Sequence, residues 1–100
     1  MDLRVHGEIW YWRGPAPYHY VTVPQPEADD LRAVARDVTY GWGMIPVVAR
    51  IGGTTWTTSL FPKDGLYVVP IKDRVRAAED LEVGDVVTVG LEVRARRRAR

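Results

Sequence analysis

The stretch "MIPVVARIGGTTWTTSLF", residues 44–61, joins two β-rich runs through two glycines and nothing else. A link of that kind is a hairpin signal, because the two-residue turns that match the twist of paired strands need positive φ at their centre. The register follows from the turn: Ile51 faces Thr54, Arg50 faces Thr55, and side chains alternate between two faces from there. One face carries Ile45, Val47, Ala49 and Ile51 with Thr54, Trp56, Thr58 and Leu60, and is predicted to be the core face. The other carries Met44, Pro46, Val48 and Arg50 with Thr55, Thr57, Ser59 and Phe61. The glycines do not make a phosphate-cradling loop, since neither GxGxxG nor GxxxxGK[ST] is present and no helix follows.

Outward from this hairpin the pattern stays β-rich. Leu3 to Trp12 reads as a strand, "RGPAPY" (residues 13–18) as a loop punctuated by Gly14, Pro15 and Pro17, and "YHYVTV" (residues 18–23) as a second strand. "PQPEADDLRAVARDV" (residues 24–38) predicts a helix with Pro26 at its first position and Glu27, Asp29 and Asp30 near its positive end. Ala28, Leu31, Ala35 and Val38 fall on one apolar stripe, with Val34 beside it. "YGWG" (residues 40–43) and "PKDG" (residues 62–65) are predicted turns. The remainder reads as strand, proline, short helix, Gly-Asp turn and final strand, with Asp73 capping a helix whose inner positions are Val75, Ala78 and Leu81.

Composition bounds what such a chain can be. One hundred residues make one domain. Four tryptophans and five tyrosines against one phenylalanine favour half-buried aromatic positions and binding surfaces, because both side chains join an apolar body to a polar handle. With no cysteine there is neither a disulfide frame nor a thiolate metal site. The first residues lack a signal-peptide pattern, and no apolar run approaches the roughly 20 residues of a membrane helix, so a cytoplasmic protein without membrane contact is expected. Residues 1–93 hold nine basic and thirteen acidic side chains, a net charge of −4. The tail "RARRRAR" (residues 94–100) adds five arginines, and the expected division is a single barrel domain over 1–93 followed by a disordered arginine-rich tail.

An internal echo shapes the fold expectation. Strand, helix, glycine turn and apolar strand follow "YVTVP" at residues 20–51, and the same order follows "YVVP" at residues 67–93. Two such halves can close a small barrel with no exposed sheet edge. The chain is therefore predicted to be mainly β: a small closed double-split β-barrel of two pseudo-repeated halves, with two short α-helices.

Two resemblances attach to these residues. The segment from "YVVP" to "LEVGDVVTV" resembles the swapped-hairpin unit of AbrB- and MazE-type bacterial regulators, which form double-split barrels. The longer stretches "GEIWYWRGPAPYHYVTVP", "GWGMIPVVARIGGTTWTTSLFP" and "YVVPIKDRVRAAEDLEVGDVVTV" resemble a small family of bacterial domains of unknown function. Its members occur alone or fused to bacteriocin-protection (YdeI/OmpD-associated) segments. That resemblance implies a fold and assigns no activity.

The chemistry-bearing residues suggest a binding module first. Lys72 and Arg76 are four apart and share a helix face; with Arg50, Ser59 and His19 they form a candidate anion-accepting pocket, walled by Trp56 or Trp42. The competing reading of Lys72 and Arg76 is a solvated face with ion pairs to Asp73, Glu79 or Asp85. The expected function is a non-enzymatic module for a small anionic or aromatic ligand, acting as a monomer or homodimer. One alternative is a nucleic-acid-associated regulator that contacts its partner only through Arg94, Arg96, Arg97, Arg98 and Arg100. Another is an enzyme with Ser59 as nucleophile and Lys72 as base, or with His19. No cofactor, metal or catalytic residue is predicted, since two histidines without a carboxylate cluster match no metal motif.

Overall fold

In the computed structural model, which describes residues 1–38 and 43–93, six antiparallel strands close into a barrel in the order β1-β2-β5-β4-β3-β6. The elements are β1 (Asp2–Trp12), β2 (Tyr18–Val23), α1 (Gln25–Val38), β3 (Ile45–Ile51), β4 (Thr54–Lys63), β5 (Leu66–Pro70), α2 (Asp73–Glu79) and β6 (Val86–Val93). Two long strands make closure possible. β1 pairs with β6 through residues 2–8 and with β2 through residues 9–12. β4 likewise pairs with β3 through residues 54–60 and with β5 through residues 61–63. Each half of the chain thus runs strand, strand, helix, strand. Exchanging β1 with β4, β2 with β5 and β3 with β6 reproduces the same cyclic order, so the echo in the sequence is a pseudo-twofold relation in space.

The central hairpin has the register read from its glycines, with Ile51 opposite Thr54, Arg50 opposite Thr55 and Ile45 opposite Leu60. Gly52 takes φ of 58°, which a primed turn requires at its first central position. Ile45, Val47, Ala49, Ile51, Trp56 and Leu60 are buried, and Arg50, Thr55 and Thr57 on the other face are exposed. The barrel interior is filled by the alternate residues of all six strands, including Val5, Ile9, Val21, Val69, Val89 and Leu91. Trp56 is 2% exposed, and its indole N–H donates to the Pro70 carbonyl at 3.1 Å, tying β4 to the end of β5.

The helices pack on this frame. α1 contacts β3 and β5, burying Ala28 and Leu31 with Val34 and Ala35 half-buried beside them; α2 lies against β4 and buries Val75. Four local expectations are corrected. Helix α1 begins one residue earlier than predicted, so Pro26 is its second residue; the Ala28 N–H already closes the first turn on the Pro24 carbonyl, and Pro26 has no N–H to leave unpaired. Asp73 is the first helical residue of α2 and not its cap: Lys72 holds the cap position in extended backbone, and the Asp73 carboxylate pairs with Arg76 at 3.3 Å. Ala78 is exposed, because α2 has only seven residues and Asp80, with φ of 54°, ends it before a second inward turn forms. The predicted "PKDG" turn is tighter than four residues. β4 runs through Pro62 and Lys63, and Asp64-Gly65 alone, both with positive φ, makes the link. The predicted turn residues Tyr40, Gly41 and Trp42, and the tail from Arg94, lie outside the described residues.

Candidate functional site

The alternation of β1 and β2 builds an aromatic face on the outside of the barrel. Trp10 pairs with Tyr20 and Trp12 with Tyr18, so all four rings point away from the interior that Ile9 and Val21 fill. Tyr20 is the centre of the group. Its ring lies 5.4 Å from Trp10, 6.3 Å from Trp12 and 5.7 Å from Tyr18, in tilted and edge-on arrangements that suit aromatic quadrupoles. These neighbours bury Tyr20 even though it faces outward, and burial pushes its phenol above the ordinary tyrosine range. Trp10 is held by an N–H bond to the Thr22 hydroxyl at 2.9 Å.

A cleft of about 360 Å³ opens beside these rings, lined by Trp12, Ala16, Tyr20, Phe61, Pro62, Lys63 and Val68. A second, of about 290 Å³, adjoins it between Trp10, Thr22, Asp64 and Leu66 and shares Lys63 and Val68. Phe61 reaches this face because it pairs with Val68, which pairs with Thr22. The Lys63 ammonium stands 5.1 Å over the Trp12 ring and 3.8 Å from the Asp64 carboxylate, a cation at the rim of an apolar seat. The "RGPAPY" loop fixes Trp12 from the other side. A Cβ at Gly14 would lie 2.5 to 2.8 Å from three indole atoms, so the ring rests directly on glycine backbone. Chemically the arrangement can stack a flat apolar group and offer one positive charge to it.

The remaining predicted residues are distributed over other parts of the barrel. His19 occupies the opposite face of β2, with its ring 4.7 Å from Tyr11, and its carbonyl accepts the Ile71 N–H, which anchors the approach to α2. Burial lowers the His19 pKa, the Arg76 cation lowers it further, and Asp73 opposes both. Tyr18 is raised by burial and then by the Asp73 and Tyr20 charges, against Arg76. His19 and Arg76 are thus electrostatic neighbours at the β2–α2 corner, and Lys72 heads the helix there. Arg76 leaves its buried Nε without a hydrogen-bond partner among the described residues. Arg50 is elsewhere: its Nε donates to the Gly52 carbonyl at 2.9 Å, and it lines a polar cleft with residues of β1 and β6. Ser59 sits half-buried on β4 opposite Pro46, Trp56 is in the core, and Trp42 lies outside the described residues. Among the described residues no group of three or more His, Asp or Glu side chains is placed to hold a metal ion. No described helix is long and apolar enough to cross a membrane.

The aromatic face was missed by sequence reasoning, although its signal is present. Trp10 and Trp12, then Tyr18 and Tyr20, are spaced by two on either side of a Gly/Pro loop, and hairpin pairing of such runs places four rings on one side.

A closed six-strand antiparallel barrel with two helices and an aromatic outer cleft is the class of protein these features define. Residues 6–91 match the family described as "Domain of unknown function (DUF1905)", and the chain belongs to that family. No curated protein matches the chain.

Proposed function

We propose that the domain is a non-enzymatic binding module whose ligand is a small planar aromatic molecule bearing a negative charge. The observation that carries this reading is the continuous set of Trp10, Trp12, Tyr18 and Tyr20 rings opening into the Phe61–Pro62 cleft, with Lys63 as the cation on its rim. Stacking on Trp12, Tyr20 and Phe61 supplies affinity through buried apolar area, and Lys63 pairs with the anion. The cleft volume falls at the small end of the range of roughly 300–1,000 Å³ typical of small-molecule sites. The test is a thermal-shift titration with benzoate, 2-naphthoate and indole-3-acetate on the wild type, Phe61→Ala and Lys63→Gln. At 100-fold excess over Kd a ligand raises stability by about 2.7 kcal/mol, a shift of roughly 10–20 °C for a domain of this size. Such a shift with at least one aryl acid, reduced in both variants, supports the reading. No shift with any of the three at about 5 mM overturns it.

A further inference from the structure

The face of the barrel away from the aromatic cleft carries a second arrangement. Across β1, β6, β3 and β4 the register aligns Arg4, Gly90, Arg50 and Thr55 in one row, all on the outer side. The two arginines flank a glycine, and over it lies a cleft of about 390 Å³. Two strand spacings, about 10 Å, separate the Arg4 and Arg50 backbones, and both residues line the cleft over Gly90. Arg50 is oriented by its Nε bond to the Gly52 carbonyl. Neither arginine forms an ion pair among the described residues.

Gly90 is the informative residue. Glycine inside a strand weakens it, and often marks a site where a ligand approaches closely. Nothing in the barrel demands glycine here. Gly90 is not among the positive-φ residues, and a Cβ on it would meet only Arg50 atoms, at 3.9 and 4.0 Å. Gly7 differs, since a Cβ there would lie 2.7 Å from Val21. What a side chain at position 90 would fill is the cleft.

We propose that Arg4, Gly90 and Arg50 form an anion seat for a phosphate monoester. A tetrahedral dianion accepts bidentate forks from two guanidinium groups on either side of it at once. Arg74 of α2, whose guanidinium reaches the Thr55 carbonyl at 3.4 Å, adds positive potential at the edge of the seat. The next row on this face holds Asp2 and Glu92, two residue pairs along β1 and β6. Their carboxylates accept hydrogen bonds from hydroxyl groups of the ligand and repel a second phosphate, which disfavours polyanions. The seat stands or falls independently of the aromatic cleft.

The test is calorimetry and amide chemical-shift titration with inorganic phosphate and glycerol 3-phosphate on the wild type, Arg4→Gln, Arg50→Gln and Gly90→Val. Shifts centred on Arg4, Arg50, Thr55 and Gly90 are expected. Each arginine variant loses about tenfold or more in affinity, the scale of a charge-assisted bond. Gly90→Val loses as much while melting at or above the wild-type temperature, because valine favours the strand and occupies the seat. Binding of either phosphate by folded Gly90→Val within twofold of wild type overturns the proposal. So does the absence of saturable binding to the wild type.

Discussion

Replacing Trp56 by phenylalanine separates a core pin from a pocket wall. The indole is 2% exposed and donates to the Pro70 carbonyl, itself buried at the corner where β5 turns toward α2. Phenylalanine keeps the ring's apolar body and removes two things. The first is the N–H, which leaves a buried carbonyl unpaired at about 1–3 kcal/mol. The second is the outer rim of the indole, a void of about 40 Å³ that costs about 1 kcal/mol at ~24 cal/mol per Å³. The expected loss is about 3 kcal/mol, or a melting temperature lower by roughly 10–25 °C in a domain this size. Urea denaturation followed by circular dichroism measures it, with Thr57→Ala, an exposed neighbour on the same strand, changing stability by less than about 0.5 kcal/mol. The slope of the transition should stay constant, since the surface exposed on unfolding barely changes. A loss below about 1 kcal/mol for Trp56→Phe would refute the view that the indole–carbonyl bond holds the β4–β5 corner.

Gly14→Ala tests the seat of Trp12 without touching a residue that a ligand would contact. Its Cβ cannot coexist with the indole at 2.5 Å, so the ring must leave Gly14 and with it the cation over its face. A stability loss of about 1–2 kcal/mol, a changed tryptophan emission and a weaker aryl-acid response are expected together; unchanged emission and binding would count against the seat. A third prediction concerns acid. Because burial and Arg76 hold the folded His19 pKa below its ordinary value of about 6.5, the unfolded chain takes up a proton first as pH falls. The His19 contribution is therefore complete above pH 6.5 and is lost as pH drops through that value toward the folded pKa. Unfolding measured between pH 5 and 7.5 should show a shallower pH dependence in His19→Gln than in the wild type, and identical slopes would exclude the corner as its source.

How much of this was legible in the chain varies by element. Gly52-Gly53 specified the central hairpin and its register, because a two-residue link leaves one pairing and the period of two then assigns every side chain to a face. The echo of "YVTVP" and "YVVP" anticipated the two-halved closed barrel, since each half needs the other to cover its edges. Local detail at the helix ends was less legible. Asp73 has the right chemistry for a cap, and it lost that position because the chain leaves Pro70 still extended through Lys72, which only the packing of α2 against β4 sets.

The candidate sites divide along the same line. The amino-acid order determined which residues alternate, and therefore that Trp10 and Trp12 share a face and that Arg50 and Ser59 share another. Which strand lies beside which was decided by barrel closure, a long-range event that no local window contains. Closure put Phe61 of β4 within reach of Tyr20 of β2 through the intervening β5, and placed Arg4 and Arg50, forty-six positions apart, on either side of Gly90. It also set His19 against the approach to α2, away from Arg50. Local propensity and period are properties of neighbouring residues, whereas a binding surface on a barrel is a property of neighbouring strands, and only the folded sheet makes those the same place.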